Sequence, residues 1–160
     1  MKTTTFPAEF SALIAAFEAE HVDYVVVGGY AVGAHGRPRA TKDLDLWIAG
    51  GPNLERVAAA LARFGLQKEL VAQSRTLGET EILYFGRPPL RIDLLRSVAG
   101  LRFEDARRGA VAMPLGTHAA VPMLSLDDLI ANKRAAGRPQ DVADAAALEK
   151  IRAKREPEER

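Results

Sequence analysis

Residues 43–48 read Asp-Leu-Asp-Leu-Trp-Ile, a strict alternation that a β-strand resolves into one apolar and one polar face. Leu44, Leu46 and Ile48 fall on the face turned to a core. Asp43 and Asp45 fall on the other, about 7 Å apart along the strand, with Trp47 next in line. Aspartate is depleted in strands, and two ionised carboxylates on one face repel unless water or a cation bridges them. The pair is therefore either acidic decoration on a solvent-facing edge strand or part of a cation site.

A second strong pattern lies just upstream. Tyr24-Val25-Val26-Val27 is a continuous β-rich run suited to a buried strand, and it ends in Gly28-Gly29. Two familiar glycine motifs fail here. The dinucleotide fingerprint needs a glycine where Tyr30 stands, and the Walker A pattern needs Lys and Ser/Thr where Ala34 and His35 stand. What remains is a strand, a Gly-Gly corner and a short helix over residues 30–35. Glycines without Cβ let backbone N–H groups approach a phosphate, but the same corner serves equally as a tight turn.

The rest of the chain alternates helical and extended patterns. A helix is expected over 7–20, with Phe10, Leu13, Ile14 and Phe17 at helical spacing. Another follows Gly50-Gly51-Pro52 and stops at Gly65. Residues 66–72 and 79–85 read as two strands. Leu90 to Leu95 reads as a further strand, carrying the isolated acid Asp93. A short helix and one or two extended pieces are expected over 101–122. Ser125 and Asp128 form a capping box that opens a helix to about Ala136, and a last helix runs from about Gln140 to Arg155.

Asp93 alters the weight of the acid pair. If its strand neighbours that of Asp43 and Asp45, three carboxylates meet on one patch, a hard oxygen set suited to Mg²⁺. Two such ions about 3.5–4 Å apart hold the attacking and leaving oxygens of an in-line phosphoryl displacement. Lys133 closes an inward stripe with Leu126, Leu129 and Ile130, where it either reaches a bound phosphate or snorkels at the helix end. Asp141 opens the last helix and is placed to orient Lys133 or Arg138. Trp47 shares the face of the acids and is open to base stacking or to packing. His21, His35 and His118 have no ligand-like spacing.

Size and composition set the outer bounds. With 160 residues, 48% apolar and 27% charged, the chain reads as one domain over 1–160, with a core over about 22–122 and a helical segment over about 125–155. The absence of cysteine excludes disulfides and thiolate chemistry and accords with a reducing, cytoplasmic setting. No apolar run is long enough to span a bilayer, so no membrane partner is expected. Pro7, Glu9 and Glu18 interrupt any secretory h-region. The net charge of +1 excludes a uniformly basic nucleic-acid coat, although Arg37, Arg39, Arg87, Arg91, Arg134 and Arg138 allow a local basic rim.

Taken in order, Val27-Gly28-Gly29-Tyr30-Ala31, Arg39-Ala40-Thr41-Lys42-Asp43-Leu44-Asp45-Leu46 and Arg91-Ile92-Asp93 resemble the polymerase-β-like nucleotidyltransferase superfamily. Asn132 to Asp141 is similar to the C-terminal part of its small bacterial toxin-type, AbiEii-like members. The resemblance covers roughly residues 22–148. It implies an α/β (α+β) fold, a mixed twisted sheet flanked by helices with further helices at the C-terminus. It also implies an NTP substrate, Mg²⁺ in a two-ion site, and transfer of a nucleoside monophosphate with release of pyrophosphate. By that resemblance Asp43, Asp45 and Asp93 hold the metals and are catalytic, and Gly28 and Gly29 bind the β/γ phosphates through their backbone. Lys133 contacts the triphosphate, with Arg39 and Thr41 as further nucleotide-binding candidates.

The acceptor implied by a toxin-type enzyme is the 3′ end of a tRNA, with a cognate antitoxin as partner. A protein hydroxyl, which would make the chain an AMP-transferase, uses the same site. The reading from another class is a non-catalytic nucleotide-binding or interaction module, which has little reason to keep three mutually repelling acids.

Overall fold

The computed structural model describes residues 6–38 and 40–159, with side chains described as far as Glu156. A six-stranded mixed sheet forms the centre. Its strands are β1 (Tyr24–Val27), β2 (Asp43–Ile48), β3 (Ile82–Phe85), β4 (Arg91–Leu95), β5 (Val111–Leu115) and β6 (His118–Met123), in the spatial order β3-β4-β2-β1-β6-β5. The helices are α1 (Ala8–Ala19), α2 (Gly28–Ala34), α3 (Asn53–Phe64), α4 (Lys68–Arg75), α5 (Phe103–Gly109), α6 (Leu126–Ala136) and α7 (Pro139–Glu159).

The central strands are buried for the reason their sequences suggest. Val25, Val26, Leu44, Leu46, Ile92 and Leu94 are all fully excluded from solvent, and the all-apolar β1 is covered on both faces. β1 runs antiparallel to β2, and β2 runs parallel to β4. Two hairpins, β3–β4 and β5–β6, flank this centre, so the acid-bearing strands lie side by side inside the sheet. Among the described residues no helix is long and apolar enough to cross a membrane.

Two expectations shift. Residues 66–72 are not a strand, because α4 occupies Lys68–Arg75. Gly65 ends α3 in the left-handed conformation (φ 96°), and Leu66 N–H bonds back to Leu61 at 3.0 Å, the Schellman pattern that stops one helix and re-aims the chain. Beyond it, Lys68, Glu69, Leu70 and Gln73 are good helix formers, and the buried positions Val71 and Ser74 are spaced i, i+3 rather than i, i+2. The other shift is at the glycine corner, where α2 begins at Gly28 itself and not at Tyr30. Tyr30 is used in packing, its ring edge-on to Phe6 and Phe10.

Candidate active site

The parallel pairing of β2 with β4 sets Asp45 opposite Asp93 and Asp43 opposite Arg91, so all four side chains leave the same face of the sheet. Asp43 is exposed, whereas Asp45 and Asp93 are half-buried. Burial is the main influence on Asp45. Repulsion from Asp93 and Asp43 and a hydrogen bond with Asp93 add to it, against the pull of Arg91, and its carboxyl is pushed up to about 7.

The glycine corner closes against this pair. Gly28 adopts φ +71°, and a Cβ there would land on the Oδ2 of Asp45. A Cβ on Gly29 would press Thr41 at 3.1 Å. Both glycines are therefore needed where they stand, one for close approach to the acid and one for close approach to the loop before β2. The Thr41 hydroxyl donates to the carbonyl of Asp43 at 3.1 Å and accepts from its N–H at 3.2 Å, which sets the entry of β2. Asp43, Asp45, Asp93, Gly28, Gly29 and Thr41 are thus brought together.

Arg91 completes the face. Its Nε and Nη2 meet the two oxygens of Asp93 at 2.6 and 3.4 Å, and its guanidinium lies 4.5 Å over the ring of Tyr84. A cavity of about 330 Å³ opens beside it, bordered by Asp43, Tyr84, Arg91, Pro88 and Pro89. The role of Arg91 was not foreseen from sequence beyond a place in a basic rim. The i, i+2 spacing to Asp93 was the available signal, since it puts both on one strand face.

Lys133 belongs to a different network. It is buried as its stripe suggested, and its Nζ lies 3.4 Å from Asp141 and 3.2 Å from Asp144. Arg138 bonds Asp141 at 2.7 Å, and Arg37 bonds Asp144 at 3.0 Å. The hydrogen bond from Arg138 holds the Asp141 carboxyl below its ordinary range. Burial pushes Asp144 up, but bonds from Lys133, Gln140 and Arg37 together hold it low. Asp144 was missed in the sequence; a lysine on an apolar stripe was the clue that buried carboxylates had to be near. Arg39 lies outside the described residues.

Trp47 is packed, 1% exposed and edge-on to Phe103 at 5.4 Å, so its ring is not offered to a base. His35 is buried with Nε2 bonded to the Leu124 carbonyl at 2.7 Å, and burial lowers its basicity.

The fold has counterparts among solved structures. The solution structure of the antibiotic-resistance factor ANT(2″)-Ia is similar with a TM-score of 0.56 at 16% identity, over 94% of this chain and 90% of that one. The crystal structure of ANT(2″)-Ia in complex with adenylyl-2″-tobramycin is similar with a TM-score of 0.55 at 16% identity, over 94% and 97%. The fold is that of the polymerase-β-like nucleotidyltransferases. At this identity the likeness is one of fold. No family model matches the chain, and no curated protein matches it in sequence.

Within that nucleotidyltransferase fold, the donor chemistry of the acid face suits a divalent ion. It offers three carboxylates, two of them in register, and a half-buried acid whose pKa is raised by burial and by its two acidic neighbours. The cage is not closed as it stands. Among the described residues no three His, Cys, Asp or Glu side chains are gathered tightly enough to hold an ion. Arg91 engages both oxygens of Asp93.

Proposed function

We propose that this chain is a nucleotidyltransferase that moves a nucleoside monophosphate from an NTP to an acceptor hydroxyl, releasing pyrophosphate. The observation that carries the reading is the Asp45–Asp93 register beside Gly28, with Asp43 on the same face. Asp43, Asp45 and Asp93 would hold Mg²⁺, which when bound neutralises the phosphates and polarises the acceptor oxygen. The chain's own contribution is positioning. Gly28 and Gly29 bring bare backbone beside the acids, where phosphate oxygens find N–H donors unshielded by side chains. Lys133 is clamped between Asp141 and Asp144, where it ties α6 to α7, and contact with the triphosphate would require it to leave that clamp.

For the acceptor, two classes remain in play. A tRNA 3′ end, with a toxin role and a cognate antitoxin, rests on the AbiEii-like resemblance and needs a basic rim. Among the described residues, four rim arginines are ion-paired: Arg37 to Asp144, Arg91 to Asp93, Arg134 to Glu149 and Arg138 to Asp141. A small hydroxylated acceptor asks for no such rim. It is favoured by the fit of 94% of this fold to a structure whose ligand is an adenylylated aminoglycoside. We therefore place the small acceptor first.

The test is label transfer from each α-labelled NTP, with Mg²⁺, to an aminoglycoside mixture, total tRNA or lysate protein. Wild type should label one fraction. Asp45→Asn should lose the transfer by about two orders of magnitude or more while staying folded. Full activity in Asp45→Asn, judged with circular dichroism unchanged, sinks the assignment of the site.

A further inference from the structure

A second cavity lies at the far end of β2, where Trp47 to Gly50 leave the sheet beneath residues 96–104. It holds about 380 Å³ and shares no lining residue with the cavity beside Arg91. Trp47, its first residue on β2, stands two positions beyond Asp45, about 7 Å along the strand, and Ala49 stands about 13 Å beyond Asp45.

Two N–H donors in residues lining this cavity have no acceptor. Trp47 Nε1 and Arg96 Nε are both buried without a hydrogen-bond partner. Folded proteins rarely leave buried donors unmet, and here both unmet donors belong to residues that line one cavity. Arg96 defines what they lack. Its Nη1 donates to the Leu77 carbonyl and anchors one end of the guanidinium. Nε and Nη2 form the other edge, the edge that grips a carboxylate or phosphate side-on with two parallel bonds. Arg91 uses that same edge on Asp93. Among the described residues Arg96 has no ion pair, and Gly50 stands so close that a Cβ would land on Nη2.

The remaining walls suit a small organic anion. Leu101 and Phe103 supply apolar surface, and Arg102 adds a second cation to the lining. Glu79 and Glu104 line the same cavity and disfavour a multiply charged guest.

We propose that this cavity binds a small molecule through a compact oxyanion, held side-on by Nε and Nη2 of Arg96 with the Trp47 N–H as third donor. A singly charged carboxylate is the head group the local charges favour. Seating it requires the wall over Trp47 to give slightly, and Phe103 on α5 is the group that covers the indole. This site does not depend on the transfer reading.

Trp47 is the only tryptophan in the chain, so its emission reports on this cavity. The experiment titrates the full chain with acetate and with inorganic phosphate at constant ionic strength. A saturable change in emission with acetate, weakened about tenfold or more in Arg96→Lys, supports the site, because lysine keeps the charge but lacks the fork. Tighter binding of phosphate supports the oxyanion site with phosphate as the head group. Should Arg96→Lys fail to fold, Gly50→Ala displaces the guanidinium from the other side and must weaken binding likewise. Asp45→Asn must bind as wild type does, which separates this cavity from the acid face. No saturable response to either anion, or equal affinity in the fork variants, overturns the proposal.

Discussion

Arg91 lies side-on against Asp93, with Nε 2.6 Å from Oδ1, on the face that also carries Asp43 and Asp45. The i, i+2 spacing on β4 produces this contact, the parallel register with β2 sets it beside Asp43 and Asp45, and Tyr84 on β3 supports the guanidinium from the neighbouring position. The acids thus have an internal counter-ion, with which a divalent ion of the proposed function would have to compete.

That competition is measurable. Arg91→Met should raise the affinity of the free protein for Mn²⁺ several-fold in calorimetric titration without nucleotide, because Asp93 is then unpaired. Affinity unchanged from wild type would mean that Arg91 and the ion do not share Asp93.

Gly28 and Gly33 lie five residues apart on α2 and should respond in opposite directions. Gly28→Ala meets Asp45 and a φ of +71°, so it should cost about 1–2 kcal/mol and most of the transfer activity. A Cβ at Gly33 meets nothing within 4 Å, and Gly33→Ala should stabilise by about 0.4–1 kcal/mol. Urea denaturation of the two variants checks both signs.

Lys133→Met should destabilise the chain by about 3 kcal/mol or more, since it leaves Asp141 and Asp144 buried without the cation between them. A folded, fully stable Lys133→Met with a raised KM for NTP would instead assign the lysine to the triphosphate.

The same network sets an acid limit. Asp141 and Asp144 both have pKa values lower than in the unfolded chain, so they contribute stability above the ordinary aspartate range of about 4. That contribution is lost as pH falls through their depressed values. Arg138→Gln removes the main cause of the Asp141 shift and should move the acid unfolding midpoint to higher pH, followed by circular dichroism. An unmoved midpoint would show that the Arg138 bond does not hold Asp141 in solution.

Much of this molecule follows from local pattern. The alternation at 43–48, the valine run ending in Gly28-Gly29 and the isolated Asp93 each determined an element and a face, because side chains alternate strictly along a strand. The capping serine of α6 and the inward stripe ending in Lys133 were equally legible, and Ser125 does accept the N–H of Asp128. Residues 66–72 misled because Leu66, Leu70 and Val71 fit a short strand or a short helix equally, and the Schellman turn at Gly65 decided between them.

What only the tertiary structure decided is which faces meet. Sequence determined that Asp43 and Asp45 share a face; the parallel pairing of β2 with β4, made across more than forty residues of chain, decided that Asp93 and Arg91 join them. It likewise decided that Lys133 is held by Asp144 as well as Asp141, and that Trp47 is roofed by Phe103 with its N–H unmet. Periodicity records which way a side chain points from its own backbone. Its neighbours depend on strand order and register, which are set by how the whole apolar surface is buried at once.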